Sequence, residues 1–149
     1  MANPNQGQSI DSLIEKAAEF HGHLGPFLVL GLRMGLFALK ELGAKPGDRR
    51  LHAAVTLEDK VPFSCMLDGV QMSTKCTIGN KRLSWKESRK FGAKFSFNGE
   101  PRVEVELYPV VAENLKHKLG KKLSDEEVQK LARDIAFRPE SELFSVRRK

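Results

Sequence analysis

The stretch FHGHLGPFLVLGLRMGLFALKEL, residues 20–42, decides the fold. Its opening holds Gly22, Gly25 and Pro26 within five residues, which breaks any regular element there. Pro26, with its fixed φ and missing N–H, suits the first turn of a new helix. From Pro26 to Leu42 the chain is apolar on nearly every side, and Gly43 stands where a left-handed cap would end it. A helix without a polar face has to be buried all round. Gly31 and Gly35 fall on one face of it, and each costs roughly 1 kcal/mol against alanine in a helix interior. That cost predicts a close neighbour on this face, either a sheet or a partner subunit. The run is also broken by Arg33 and is far too short to span a bilayer.

Working outward, Ser9 or Asp11 can cap a first helix with Ile10, Leu13, Ile14 and Ala17 at helical spacing. Residues 1–8 are polar, are expected to be disordered, and lack the basic-then-apolar layout of a signal peptide, so a cytoplasmic protein is expected. Downstream, Leu51–Leu57 reads as a strand, and Pro62 opens a short helix reaching about Thr74. Residues 94–97 and 102–107 alternate around Asn98-Gly99, the strongest short-range signal for a hairpin. A helix follows from about Val110 to Leu119. Ser124 to Glu127 is a capping box opening a last helix, with Val128, Leu131, Ala132 and Ile135 on its apolar stripe. The order ααβαββαα predicts an α+β domain with a mixed sheet flanked by helices. With 149 residues, 40% apolar and 30% charged types, a single soluble domain over residues 1–149 is expected.

The formal charge is +6, and it is uneven. Lys75, Lys81, Arg82, Lys86, Arg89, Lys90 and Lys94 are opposed only by Glu87, and Lys116, Lys118, Lys121 and Lys122 form a second cluster. These read either as solvated faces or as a positive rim for an anionic small molecule. Nucleic acid is a poor fit, because one Trp and one Tyr supply few stacking platforms. Phe91, Phe95 and Phe97 read as hairpin core.

Two segments look costly to keep without a function. In His21-Gly22-His23, residues two apart in an irregular chain project to one side, so both imidazoles converge. In the second segment, Cys65, Asp68 and Gln71 share one helical face, a poor core stripe because a buried carboxylate needs a partner. Cys76 follows in a loop with Thr77, Gly79 and Asn80, the composition of an anion-binding turn. Imidazole and thiolate together fit zinc, with a position left open for water or substrate. His21, His23, Cys65 and Cys76 are therefore the candidate metal ligands. Asp68 is the candidate orienter or base, and Gln71, Thr77 and Asn80 are candidate ligand-binding residues. His52 and His117 read as structural or surface histidines. Two cysteines, ten residues apart, make neither a disulfide framework nor an Fe–S set.

At these two segments the sequence resembles the FmdE family, named for a component of formylmethanofuran dehydrogenase. The first motif stands here as Phe20-His21-Gly22-His23-Leu24-Gly25-Pro26, continuing into Leu30, Gly31, Arg33, Met34 and Gly35. The second stands at Cys65, Asp68, Gln71, Cys76, Thr77, Gly79 and Leu83, and the likeness spans roughly residues 10–145. The resemblance implies a thioredoxin-like α+β core, a zinc-holding site matched by His21, His23, Cys65 and Cys76, and a dimer. Gly25 replaces the first motif's cysteine, which removes a possible soft ligand. The cysteine-rich C-terminal zinc finger of many relatives is not matched, so a core-only member is expected. Neither a molybdopterin nor an Fe–S site is expected on this chain.

Three readings follow. In the first, the chain is a small metal-binding protein, catalytic or accessory, with Asp68 and Cys65 as candidate catalytic residues. In the second, Cys65 and Cys76 form a thiol-redox pair, with the Cys65 pKa lowered by a helix N-terminus. In the third, the chain is a non-enzymatic subunit whose basic stretch and glycine-bearing helix dock onto a larger oxidoreductase.

Overall fold

Alternation of apolar residues sets one face of the sheet, and the helices are laid against that face. The computed structural model describes residues 9–149, so the expectation for residues 1–8 lies outside the described residues. Helix α1 (Ile10–His21) opens on Ser9, whose side chain accepts from the Ser12 N–H, and ends on left-handed Gly22. Helix α2 (Pro26–Leu42) starts at proline and stops at left-handed Gly43, as its sequence predicts. Strand β1 (Leu51–Leu57) leads through a 3-10 turn (Phe63–Cys65) into α3 (Met66–Thr74). Strand β2 (Leu83–Glu87) and the hairpin of β3 (Gly92–Phe97) and β4 (Glu100–Leu107) follow, then α4 (Pro109–Leu119) and α5 (Asp125–Phe137). A short α6 (Glu140–Leu143) leads into β5 (Phe144–Arg148).

The five strands run in the order β2-β1-β3-β4-β5. Strand β1 pairs in parallel with β2 and antiparallel with β3, while β3–β4 and β4–β5 are antiparallel. The fold is therefore α+β with a mixed sheet, and Asn98 and Gly99, both at positive φ, close its hairpin. Leu51, Ala53, Val55 and Leu57 are buried with Phe95, Val103, Val105 and Leu107, whereas His52, Ala54 and Lys94 face outward. The expected element order lacked β2, β5 and α6. Strand β2 buries only Leu83 and β5 alternates weakly, because both lie at sheet edges.

The glycine face of α2 meets neither a sheet nor a partner; it packs on α3. A Cβ at Gly31 would overlap the Met66 carbonyl oxygen and lie 2.9 Å from its carbon and 3.0 Å from the Val70 nitrogen. Gly69 of α3 reciprocates, since a Cβ there would overlap the Leu28 carbonyl and stand 2.5 Å from the Leu32 nitrogen. The two helix backbones are thus in contact, and the small residues of each make room for the other. On the other side, Arg33 donates from Nη1 to the carbonyls of Ile135 and Arg138, satisfying the C-terminal end of α5. Because α2 is covered within the chain, the dimer expectation loses the apolar-helix argument and stands on the resemblance alone.

Candidate metal centre

The helix contact just described carries α3 past the junction between α1 and α2, and the candidate residues meet there. His21 is the last residue of α1 rather than part of an irregular chain. Gly22 (φ 105°) then turns the backbone so that His23 folds back beside it, the two rings 4.7 Å apart between centroids. Cys65 closes the 3-10 turn that precedes α3. That turn is held from below by Phe27, Phe63 and Phe91, with ring centroids 5.1–5.8 Å apart. Lys116, paired to Glu58 at 2.8 Å, places its ammonium 5.5 Å and 5.4 Å from the Phe63 and Phe91 centroids.

His21, His23 and Cys65 each offer one ligand atom, and the three atoms lie within 4.8 Å of one another. Ligand atoms around a tetrahedral zinc stand about 3.3–3.8 Å apart, so closure needs an adjustment of about 1 Å or less. Cys65 is buried and His23 exposed, so the cluster runs from the core to the surface. Asp68 Oδ2 lies 2.5 Å from His21 Nδ1, which makes Nδ1 the protonated nitrogen and leaves the Nε2 lone pair free. His21 Nε2 is buried and has no hydrogen-bond partner. A buried polar atom is rarely left unpaired. The carboxylate–imidazole pair aiming a bare nitrogen at a second imidazole and a thiol is the arrangement that second-sphere carboxylates give to metal-binding histidines.

Asp68 is fixed in turn, because Gln71 Nε2 donates to Asp68 Oδ1 at 3.2 Å. Gln71 Oε1 accepts from the Ile78 N–H at 3.3 Å, so Gln71 ties the site to the following turn. That turn is closed on itself. Asn80 Oδ1 accepts from the Thr77 N–H (3.0 Å), Thr77 Oγ1 accepts from the Asn80 N–H (3.1 Å), and Asn80 Nδ2 donates to the Lys75 carbonyl (2.8 Å). The groups of Gln71, Thr77 and Asn80 expected to hold a ligand are thus engaged within the protein.

Cys76 is not brought to the cluster. It is 1% exposed, and its Sγ lies 3.4 Å from the Leu51 carbonyl oxygen on β1. The physical reason is α3 itself: its nine residues place Cys65 and Cys76 at opposite ends, about 13 Å apart along the axis. A disulfide needs Cα atoms closer than about 7 Å, so the two thiols do not form a redox pair in this fold. The expected lowering of the Cys65 pKa is also reversed. Burial raises it above its ordinary value and the neighbouring Asp68 carboxylate adds to the rise. Burial likewise raises the Cys76 thiol. A neutral thiol at Cys65 becomes a thiolate only with a compensating cation.

Of the basic clusters, Lys118, Lys121 and Lys130 line a surface cleft of about 680 Å³ between α4 and α5, away from the histidine–cysteine group. Lys86, Lys90 and Lys94 line a smaller cleft on the outward face of the sheet. Sequence reading missed Gly69 and the aromatic support under the 3-10 turn. The lone glycine inside the Met66–Thr74 helix was the available signal for Gly69.

The class defined by these features is an α+β protein whose single long buried helix holds a carboxylate-oriented His–His–Cys group at its start. A family model described as FmdE, molybdenum formylmethanofuran dehydrogenase operon, matches residues 20–145, and the chain belongs to the FmdE family. An FmdE-like protein of tungsten formylmethanofuran dehydrogenase from Syntrophus aciditrophicus has a similar fold. Its TM-score is 0.54 and its identity 22%, with 99% of this chain and 75% of that one covered. A probable S-adenosyl-L-methionine-binding protein of Archaeoglobus fulgidus is 38% identical over 82 residues, 55% of this chain. The chain spans 22% of that relative's length.

Proposed function

We propose that this chain is a small metal-binding protein that holds one zinc ion through His21, His23 and Cys65. The observation that carries this reading is the bare, buried Nε2 of His21, held in that tautomer by Asp68 and aimed where a second imidazole and a thiol gather. Two nitrogens and one sulfur suit zinc among the common divalent ions, and three protein ligands leave a position for an exchangeable group. Zinc so bound acts as a Lewis acid toward a carbonyl or acidifies a bound water. Asp68 is a positioning residue in this reading, since one oxygen holds His21 and the other accepts from Gln71. An unpaired thiol ligand requires a reducing compartment, which favours the cytoplasm. No helix is long and apolar enough to cross a membrane among the described residues.

The family description names a formylmethanofuran dehydrogenase operon, so an oxidoreductase of that kind is the partner this reading assigns. S-adenosyl-L-methionine binding is left out, because the shared segment is only 22% of the relative that carries the name. The test is metal counting on purified protein equilibrated with zinc and desalted. About one zinc per chain is expected, lost in His23→Ala and in Cys65→Ser and kept in Cys76→Ser. Full occupancy in both His23→Ala and Cys65→Ser would refute the assignment.

A further inference from the structure

Gly25 has the second-highest stake in the site after the ligands themselves, and its backbone explains why. Its φ and ψ are −140° and 163°, extended geometry that any residue adopts, so conformation does not require glycine there. Crowding does not require it either. A Cβ built at Gly25 lies 3.8 Å from His23 Nε2 and 3.9 Å from His23 Cδ2, both ordinary contacts, and meets nothing else within 4 Å beyond its chain neighbours. Yet Gly25 is itself buried. The space its missing side chain leaves is therefore a small niche at the start of α2, walled on one side by the imidazole of His23.

We infer that Gly25 keeps the fourth position of the metal centre open, and that the niche admits a small anionic ligand to the ion. The inference rests on the zinc reading and adds the ligand class. Charge supports an anion: a divalent ion with two neutral imidazoles and one thiolate keeps one uncompensated positive charge at a partly buried place, and a bound anion removes it. Size supports a small one, because the niche is only a side chain deep. Distance supports the role of position 25. A sulfur bonded to a Cβ there is one bond, about 1.8 Å, further into the niche, and a ligand sulfur stands about 3.6 Å from a neighbouring ligand nitrogen in a tetrahedral zinc site. A thiol at this position thus reaches the same corner that an outside anion would use.

The test uses cobalt as a spectroscopic substitute for zinc, with azide as the anionic probe, in the full chain and in Gly25→Ala and Gly25→Cys. In the natural protein azide should shift the visible cobalt bands saturably. Gly25→Ala adds only a Cβ for which there is room, and should keep both cobalt and the azide response. Gly25→Cys should bind cobalt more tightly, about double the sulfur-to-metal charge-transfer intensity, and lose the azide response. If azide perturbs Gly25→Cys as strongly as the natural protein, or leaves the natural protein unchanged while cobalt is bound, the inference fails and the zinc reading survives. If cobalt shows no sulfur ligand in the natural protein, the zinc reading itself fails.

Discussion

Replacing Gly31 with alanine places one methyl group where α2 and α3 touch. The new Cβ would overlap the Met66 carbonyl oxygen and sit 2.9 Å from the carbonyl carbon and 3.0 Å from the Val70 nitrogen. These are backbone atoms of a packed helix, so no side chain can rotate away, and the helices have to part by about 1 Å. Overpacking of this kind costs about 1–3 kcal/mol or more, and the better helix propensity of alanine returns about 1 kcal/mol, so we predict a net loss of about 2–3 kcal/mol. Gly35→Ala should lose less, because its first obstacle is the hydroxyl of Ser73, with Thr74 Cγ2 at 2.8 Å and Ser73 Cβ at 2.9 Å behind it. The same displacement reaches the site, since Cys65 and Asp68 ride on the start of α3 while His23 precedes α2. Metal ligands have to keep their distances to within about 0.2 Å, so Gly31→Ala should also weaken zinc binding strongly. Urea unfolding followed by far-ultraviolet circular dichroism gives the stability, and zinc competition with a chromophoric chelator gives the affinity. A Gly31→Ala protein as stable as the natural one, binding zinc unchanged, would refute the argument that this helix contact sets the site.

Three further outcomes follow from the same geometry. Asp68→Asn should lower zinc affinity by about 10–100-fold without loss of fold, read by the same competition assay, because it removes the acceptor that fixes the His21 tautomer. Between pH 7 and 9 apparent zinc affinity should rise about tenfold per pH unit in calorimetric titrations corrected for buffer, since burial and Asp68 hold the Cys65 thiol protonated and the proton has to leave on binding. Cys76→Ala should keep its zinc and lose part of the alkaline sensitivity of the metal-free fold. The sign is set by a buried thiol raised above 9.0: the folded state retains its proton longer than the unfolded state, so its contribution is complete below pH 9 and is lost as pH rises past it. Thermal melting of the metal-free protein from pH 7 to 10.5 checks this.

Much of the fold was legible because local chemistry and tertiary role agree. Pro26 and Gly43 bracket α2, Ser124 and Glu127 form the reciprocal cap of α5, and Asn98-Gly99 closes the hairpin. Strands β2 and β5 escaped because edge strands bury one face weakly, leaving no period to read. The glycines of α2 announced close packing but not its partner, since that choice belongs to Gly69, more than thirty positions along the chain. At the site, spacing brought out His21, His23, Cys65 and Asp68, and the fold gathers them. Cys76 was grouped with them by residue type alone. A helix of nine residues between two cysteines separates them whatever their chemistry, and the left-handed Lys75 that ends α3 sends Cys76 toward β1. The turn at Thr77–Asn80 shows the complementary error, in which residues suited to holding an anion spend their hydrogen bonds on one another.

X-ray absorption at the zinc edge of the loaded protein tests the central claim most directly. The account predicts one sulfur at about 2.3 Å and two imidazole nitrogens at about 2.0–2.1 Å, with a light atom completing the shell. The sulfur should vanish in Cys65→Ser and persist in Cys76→Ser. A shell with no sulfur, or one whose sulfur disappears with Cys76 instead, would contradict it.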